Sequence, residues 1–300
     1  MLKNIRISID IIGIIVRMSL LIDSMKTILR NASVAAEEEG TAPAQPLMHK
    51  LMAPLDRLSA KSTSLIVNYK ASFETNGQTY ILPRFLYLGP RGGDESTRIG
   101  LFAGLRGNEP EGSHALVRFL EMLEENPASA TGYCLFIYPI CNPVEFESPT
   151  GESSSGEVTP GFWKSSAQPW VRLLQSDIAS HALHGGVILR SDESLSAFHG
   201  VANGATLTQH LIKPAMAAAG KYLPVDQRDL IDGKRSFDGA IWGGGRGQVS
   251  APPAVRPQPF EISLCAPRSA PEYLKEFAWL GALQTILSAY REFMAFARNI

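Results

Sequence analysis

Apolar positions along the chain follow two rhythms that alternate. In "TSLIVNYKASF" (63–73) and "TYILPRFLYLG" (79–89), β-branched and aromatic residues run together or alternate, which predicts strands. "RIGLFAG", Arg98 to Gly104, has the length and character of a short buried strand. In "EPEGSHALVRFLEMLEEN" (109–126) the rhythm changes: Pro110 opens the segment, and Ala115, Leu116, Phe119, Leu120 and Leu123 recur at helical spacing. "YCLFIYPIC", Tyr133 to Cys141, predicts a fully buried strand, and the polar loop "SPTGESSSGEVTPG" follows. "PWVRLLQSDIASHAL" predicts a helix, "GGVILR" (Gly185 to Arg190) a strand, and "TLTQHLIKPAMAAAG" a helix. After a long loop containing "WGGGRG", "PFEISLC" (Pro259 to Cys265) predicts a strand and Pro271 to Arg298 a closing helix. Strands alternating with helices predict an α/β class with a mixed, largely parallel sheet flanked by helices. No internal repeat interrupts the pattern, so residues 47–300 are expected to form one domain behind an N-terminal extension and linker, residues 1–46.

That extension departs from the rest. "IIGIIVRMSLLI", Ile11 to Ile22, is apolar but carries Arg17 and lies between Asp10 and Asp23, too short and too charged to span a bilayer. Lys3 and Arg6 before it and "VAA" (Val34 to Ala36) after it have the outline of a signal peptide, and the charged stretch Asp23 to Arg30 argues against one. "AAEEEGTAPAQP" (35–46) reads as a linker. A net charge of −1, with no basic block, points away from nucleic acid and from an acidic membrane surface. Three cysteines (Cys134, Cys141 and Cys265) without a CxxC pair suit a reducing compartment, so the expected location is cytoplasmic.

Familiar catalytic motifs are missing: there is no GxxxxGK[ST], no GxGxxG after a strand, no GxSxG and no HExxH. "GGGRG" (Gly243 to Gly247) opens no helix and reads as a loop rather than an anion cradle. The six histidines show no ligand spacing, and His114, His181 and His184 read as packed, capping or solvated. What remains is position. Arg106 and Glu109 follow one strand, Asn142 and Pro143 a second, Arg190 with Asp192 and Glu193 a third, and Cys265 a fourth. Open α/β sheets bind ligands beyond the carboxyl ends of their strands, so these residues could converge.

Taken in order, "LPRFLYLGP", "RIGLFAGLRGNEPEG", "YPICNPVEFES", "GVILRSDES" and "PFEISLCAP" resemble the landmark segments of the zinc-dependent carboxypeptidase superfamily, nearest the succinylglutamate desuccinylase and aspartoacylase branch. The likeness covers about residues 47–298. It implies that fold, and for an active member hydrolysis of a peptide or amide C–N bond. The family's first landmark is HGxE, whose His and Glu bind zinc; here Arg106 replaces the His and Glu109 is kept. The later zinc-binding His corresponds to Arg190, and the catalytic Glu of the last strand to Cys265. Where the family has a DLNR-like segment, this chain has "EVTP", with Thr159 and Pro160. Asn142 and Pro143 match the family's NP.

A guanidinium is always protonated and has no lone pair for a metal. Catalytic zinc needs about three protein ligands and an open position. The resemblance therefore implies a chain without the zinc cofactor, Glu109 being the one ligand position kept. The leading expectation is a pseudoenzyme whose crevice binds a small carboxylate-bearing ligand, a peptide or a protein partner. The expected binding residues are Arg106, Glu109, Asn142, Arg190, Asp192 and Cys265, with both arginines paired to Glu109 in the zinc space. The alternative is an active metallo-hydrolase with a rearranged site or a cysteine nucleophile. No base can be assigned to Cys265, so a buried, inert thiol is its expected state.

Overall fold

In the computed structural model the described residues are 45–69, 71–91, 96–148, 168–243 and 259–297. They all belong to one compact unit, residues 44–300. The apolar run Ile11–Ile22, most of the linker, Thr159, Pro160 and "GGRG" lie outside the described residues.

The strands are β1 Leu65–Asn68, β2 Ser72–Thr75, β3 Gln78–Ile81, β4 Arg84–Leu88, β5 Thr97–Phe102, β6 Tyr133–Tyr138, β7 Gly185–Asp192, β8 His199–Ala202, β9 Leu230–Ile231, β10 Lys234–Phe237, β11 Ala240–Ile241 and β12 Phe260–Pro267. The helices are α1 Pro46–Ser59, α2 Pro110–Glu125, α3 Pro143–Glu147, α4 Pro169–His181, α5 Ala205–Leu207, α6 Lys213–Ala219 and α7 Glu272–Ala297. Ten strands form one sheet in the order β1-β4-β6-β5-β7-β12-β8-β11-β10-β9. Its centre, β6-β5-β7-β12, is parallel, and β8 runs antiparallel to β12. The architecture is α/β: a mixed sheet with a parallel centre, flanked by helices.

Two apolar clusters cover the sheet. The larger includes Leu189, Leu264 and Ala266 from the sheet, Phe119 and Leu123 of α2, and Trp279 and Leu283 of α7. The smaller holds Phe102, Tyr138 and Ile188 with Trp170, Leu174 and Ile178 of α4. The helical spacing read in α2 is the face it buries: Ala115, Leu116, Phe119, Leu120 and Leu123 are all buried. At the start of α1, the Glu147 carboxylate accepts hydrogen bonds from the Leu47 and Met48 amides (3.1 and 2.6 Å), satisfying donors that a helix start leaves open.

Three regions differ from the sequence pattern. "TSLIVNYKASF" and "TYILPRFLYLG" each divide into two strands; β2 and β3 form a hairpin over Asn76 and Gly77, both at positive φ, and Pro83 separates β3 from β4. The helix "TLTQHLIKPAMAAAG" contains a five-residue π-helical turn, Thr208–Ile212, just ahead of Pro214, whose nitrogen cannot donate. The long loop after residue 220 holds β9, β10 and β11. Two Asp-Gly pairs, Asp232-Gly233 and Asp238-Gly239, take the positive-φ turns that fold these short strands back on one another.

Candidate functional site

Beyond Phe102 the chain leaves β5 through Gly104, which turns at φ +60, a conformation that L side chains rarely adopt. Arg106, Gly107 and Glu109 follow. The amide of Asn142, at the end of β6, donates to the Gly104 carbonyl at 2.8 Å, so the two strand ends are tied together. The Gly107 amide donates to Glu145 Oε2 at 3.1 Å. A Cβ on Gly107 would come within 2.1 Å of the Glu145 carbonyl oxygen, so this loop has no room for a larger residue. Glu109 occupies the position before Pro110 at the start of α2, yet its carboxylate makes no capping bond there. It turns instead to β7.

Arg190 meets it with two bonds: Nη2 donates to Oε1 at 3.0 Å and Nε to Oε2 at 3.3 Å. This is the forked guanidinium–carboxylate arrangement. Both side chains are shielded, Glu109 being 5% and Arg190 12% exposed. Burial works against the Arg190 charge, and the bond to Glu109 together with the negative charge of Glu109 and Asp192 more than offsets it, so its pKa lies above the ordinary value. Arg106 also approaches this carboxylate, Nη1 to Oε1 at 3.6 Å, with its side chain 30% exposed. Among the described residues Glu109 is its only ion-pair partner. Asp192, two residues beyond Arg190, accepts from the Ser194 amide (2.8 Å) and hydroxyl (2.7 Å). That amide bond, with help from Arg190 and Arg106, holds its carboxyl below the usual range.

Cys265 on β12 is the direct partner of Arg190 in the parallel ladder. Loss of solvent pushes its thiol up to about 12; Arg190 pulls it down, and Glu109, Asp192 and Asp232 push it up again. A thiolate is therefore rare at neutral pH, which disfavours a nucleophilic role. Asn142 is tied to the site through its backbone; its Oδ1 caps α3 by accepting from the Glu145 amide at 3.3 Å, and its buried Nδ2 has no partner among the described residues. The structure thus draws Arg106, Glu109, Arg190, Asp192 and Cys265 together, with Asn142 on the neighbouring strand end.

Two groups of neighbours escaped the sequence pattern. Behind β7, Ser191 Oγ donates to Glu111 Oε2 at 2.9 Å, and Lys275 Nζ donates to Glu111 Oε1 at 2.7 Å. His199, the first residue of β8, is the direct cross-strand partner of Cys265. Its one signal in the sequence is a histidine set among the apolar residues Ala197, Phe198, Val201 and Ala202.

No protein-family model matches the sequence, and no curated protein matches it. Solved structures do match the fold. A Shewanella denitrificans OS217 protein described as a candidate metallopeptidase superposes with a TM-score of 0.64 at 17% identity, covering 81% of this chain and 88% of that one. A Burkholderia cenocepacia metallo-carboxypeptidase gives 0.56 at 11% identity, covering 84% and 70%. The chain has the metallo-carboxypeptidase fold. A Pseudomonas aeruginosa metallo-carboxypeptidase in complex with (2-guanidinoethylmercapto)succinic acid gives 0.53 at 13% identity, covering 80% and 68%.

These neighbours correct one expectation, that the chain takes no cofactor because zinc is lost. The proteins that share this fold are described as metallopeptidases and metallo-carboxypeptidases, and nothing here shows that this chain has given up metal. What the geometry does show is local. Arg106 and Arg190 offer no lone pair, and both guanidiniums already face Glu109, so these three side chains do not fit a metal ion. Among the described residues no group of three or more His, Cys, Asp or Glu is arranged to hold one, and no helix is long and apolar enough to cross a membrane.

Proposed function

We propose that this carboxypeptidase-fold protein binds a small carboxylate-bearing ligand at the carboxyl edge of its sheet, and that Glu109 there serves to hold geometry rather than to hydrolyse. One observation carries the reading. Arg190 spends its fork on Glu109, while the Arg106 guanidinium, 3.6 Å from the same carboxylate and partly exposed, makes no hydrogen bond among the described residues. Its N–H donors are free to fork onto a second carboxylate. Arg190 and Glu109 fix the floor beneath it. The succinic acid derivative bound by the Pseudomonas aeruginosa carboxypeptidase supports a carboxylate as the ligand class for this fold.

Calorimetry with succinate and N-acetylglutamate tests this. Arg106→Ala is expected to weaken binding roughly 10- to 100-fold, since hydrogen bonds to charged groups contribute about 1.5–3 kcal/mol. Arg106→Lys should recover only part, because an ammonium cannot fork. Equal affinity in the unaltered chain and Arg106→Ala, or no binding of either probe to the unaltered chain, overturns the proposal. A second reading is a metallo-hydrolase whose metal lies away from Glu109; the metallopeptidase neighbours favour it. Turnover of N-acyl amino acids by metal-loaded protein that survives Glu109→Gln would establish it.

A further inference from the structure

A row of three side chains crosses the sheet beside the arginine cluster. Arg190 on β7 pairs with Cys265 on β12, and Cys265 pairs with His199 on β8. Direct partners on adjacent strands project to the same face. Leu189, Leu264 and Ala266 point into the larger core, so Arg190 and Cys265 emerge on the opposite side. A Cβ on Gly200 would meet Met216 and Ile212 of that core, which sends the preceding His199 to the same opposite side. Antiparallel partners place their Cβ atoms about 4.5–5.5 Å apart. A thiol and an imidazole at that separation can close on one shared atom.

His199 is 5% exposed, and its buried Nδ1 has no hydrogen-bond partner among the described residues. Nearly all buried polar atoms have one, and an orphan is destabilising. We propose that Cys265 and His199 form a two-donor site for a soft, thiophilic metal ion of the Cu(I) class. Thiolate and imidazole are ligands that such an ion takes, and it accepts two donors where zinc asks for three or four. That distinction matters here, because no group of three donors is present among the described residues.

The surroundings suit a cation. The carboxylates of Asp192 and Asp232 act on both the thiol and the imidazole. Arg190, which acts on the thiol, is engaged by Glu109, and Arg228, which acts on the imidazole, by Asp226. Burial lowers the pKa of His199 and so keeps the ring neutral, the form that binds metal. On binding, the Cys265 Sγ–H bond breaks, an Sγ–metal bond forms, and the proton leaves to solvent, so each ion releases one proton.

The site uses neither Arg106 nor Glu109 as a donor, so it stands or falls apart from the carboxylate reading. The test is an anaerobic titration of the full chain with Cu(I) against a chromophoric Cu(I) chelator. One equivalent should be withdrawn, with one proton released. Cys265→Ser should abolish it. His199→Gln should weaken it at least about tenfold, the lower end of what even an outer-shell partner's loss costs a metal site. Cys134→Ala should leave it unchanged. In the unaltered chain, bound Cu(I) should protect Cys265 from a small alkylating reagent, read by peptide mass. Undiminished binding in Cys265→Ser, full affinity in His199→Gln, or no protection of Cys265 each overturns the site.

Discussion

Arg190→Met is expected to destabilise the protein by about 3 kcal/mol, the lower end of the range for removing one partner of a buried ion pair. Methionine keeps most of the buried stem, so the loss isolates the charge. Glu109, 5% exposed, then holds a carboxylate whose two oxygens have lost their forked donor. Arg106 keeps the effect at the low end. It already stands 3.6 Å from Oε1, and its side chain, 30% exposed, is expected to turn onto the vacated oxygens. Urea unfolding measures this, and three further variants apportion it. Arg106→Ala alone should cost less than about 1 kcal/mol, as partly exposed pairs do. Arg106→Ala with Arg190→Met should cost more than the sum of the two, because no cation is left. Glu109→Gln added to Arg190→Met should recover part of the loss, because a neutral amide is cheaper to bury than an unpaired carboxylate. Additive costs would mean that the two arginines do not share Glu109.

The same cluster shows what a single sequence can and cannot carry. "RIGLFAG" and "GGVILR" were legible as strands because an apolar run bounded by polar residues is a local signal, and β5 and β7 form there. Their place at strand ends suggested that Arg106, Arg190 and Cys265 could converge, and the resemblance then gave each a family position. Their spacing in the chain says nothing of the parallel register that sets Cys265 beside Arg190, since parallel pairing joins segments distant in sequence. His199 was lost for a related reason. Its strand has four residues, carries a charge-capable side chain and follows a polar stretch, so no apolar rhythm announced it. The strands β9 and β11 have two residues each and β10 has four, too short for a period to register, and they fall where the pattern showed only a long loop. Zinc loss was a sound inference about two positions and an overreach about the chain: a guanidinium cannot ligate, but its presence at one position does not empty the rest of a metallopeptidase fold.

Lys275→Met should cost more than Arg190→Met, about 5 kcal/mol at neutral pH, near the top of the range for breaking a buried pair. Lys275 is 4% exposed and bonds Glu111 at 2.7 Å. Its ammonium also donates to the Arg268 carbonyl at 3.1 Å, joining α7 to the end of β12. Among the described residues no second cation pairs with Glu111, whose other partners are the Ser191 hydroxyl and an amide. The dependence on pH separates this charge effect from simple loss of packing. Burial alone would raise the Glu111 pKa, but the Lys275 bond, its own amide and Ser191 together hold it below the ordinary 4.5. A depressed folded value contributes stability above the unfolded one and loses it as pH falls through the folded one. Without Lys275, burial is expected to win and the folded value to rise. Lys275→Met should then gain stability as pH falls toward 4.5, while the unaltered chain loses its Glu111 contribution below it. Urea midpoints measured from neutral pH to about pH 3 should therefore converge. A constant gap would assign the loss to the aliphatic stem of Lys275 and remove Glu111 from the account.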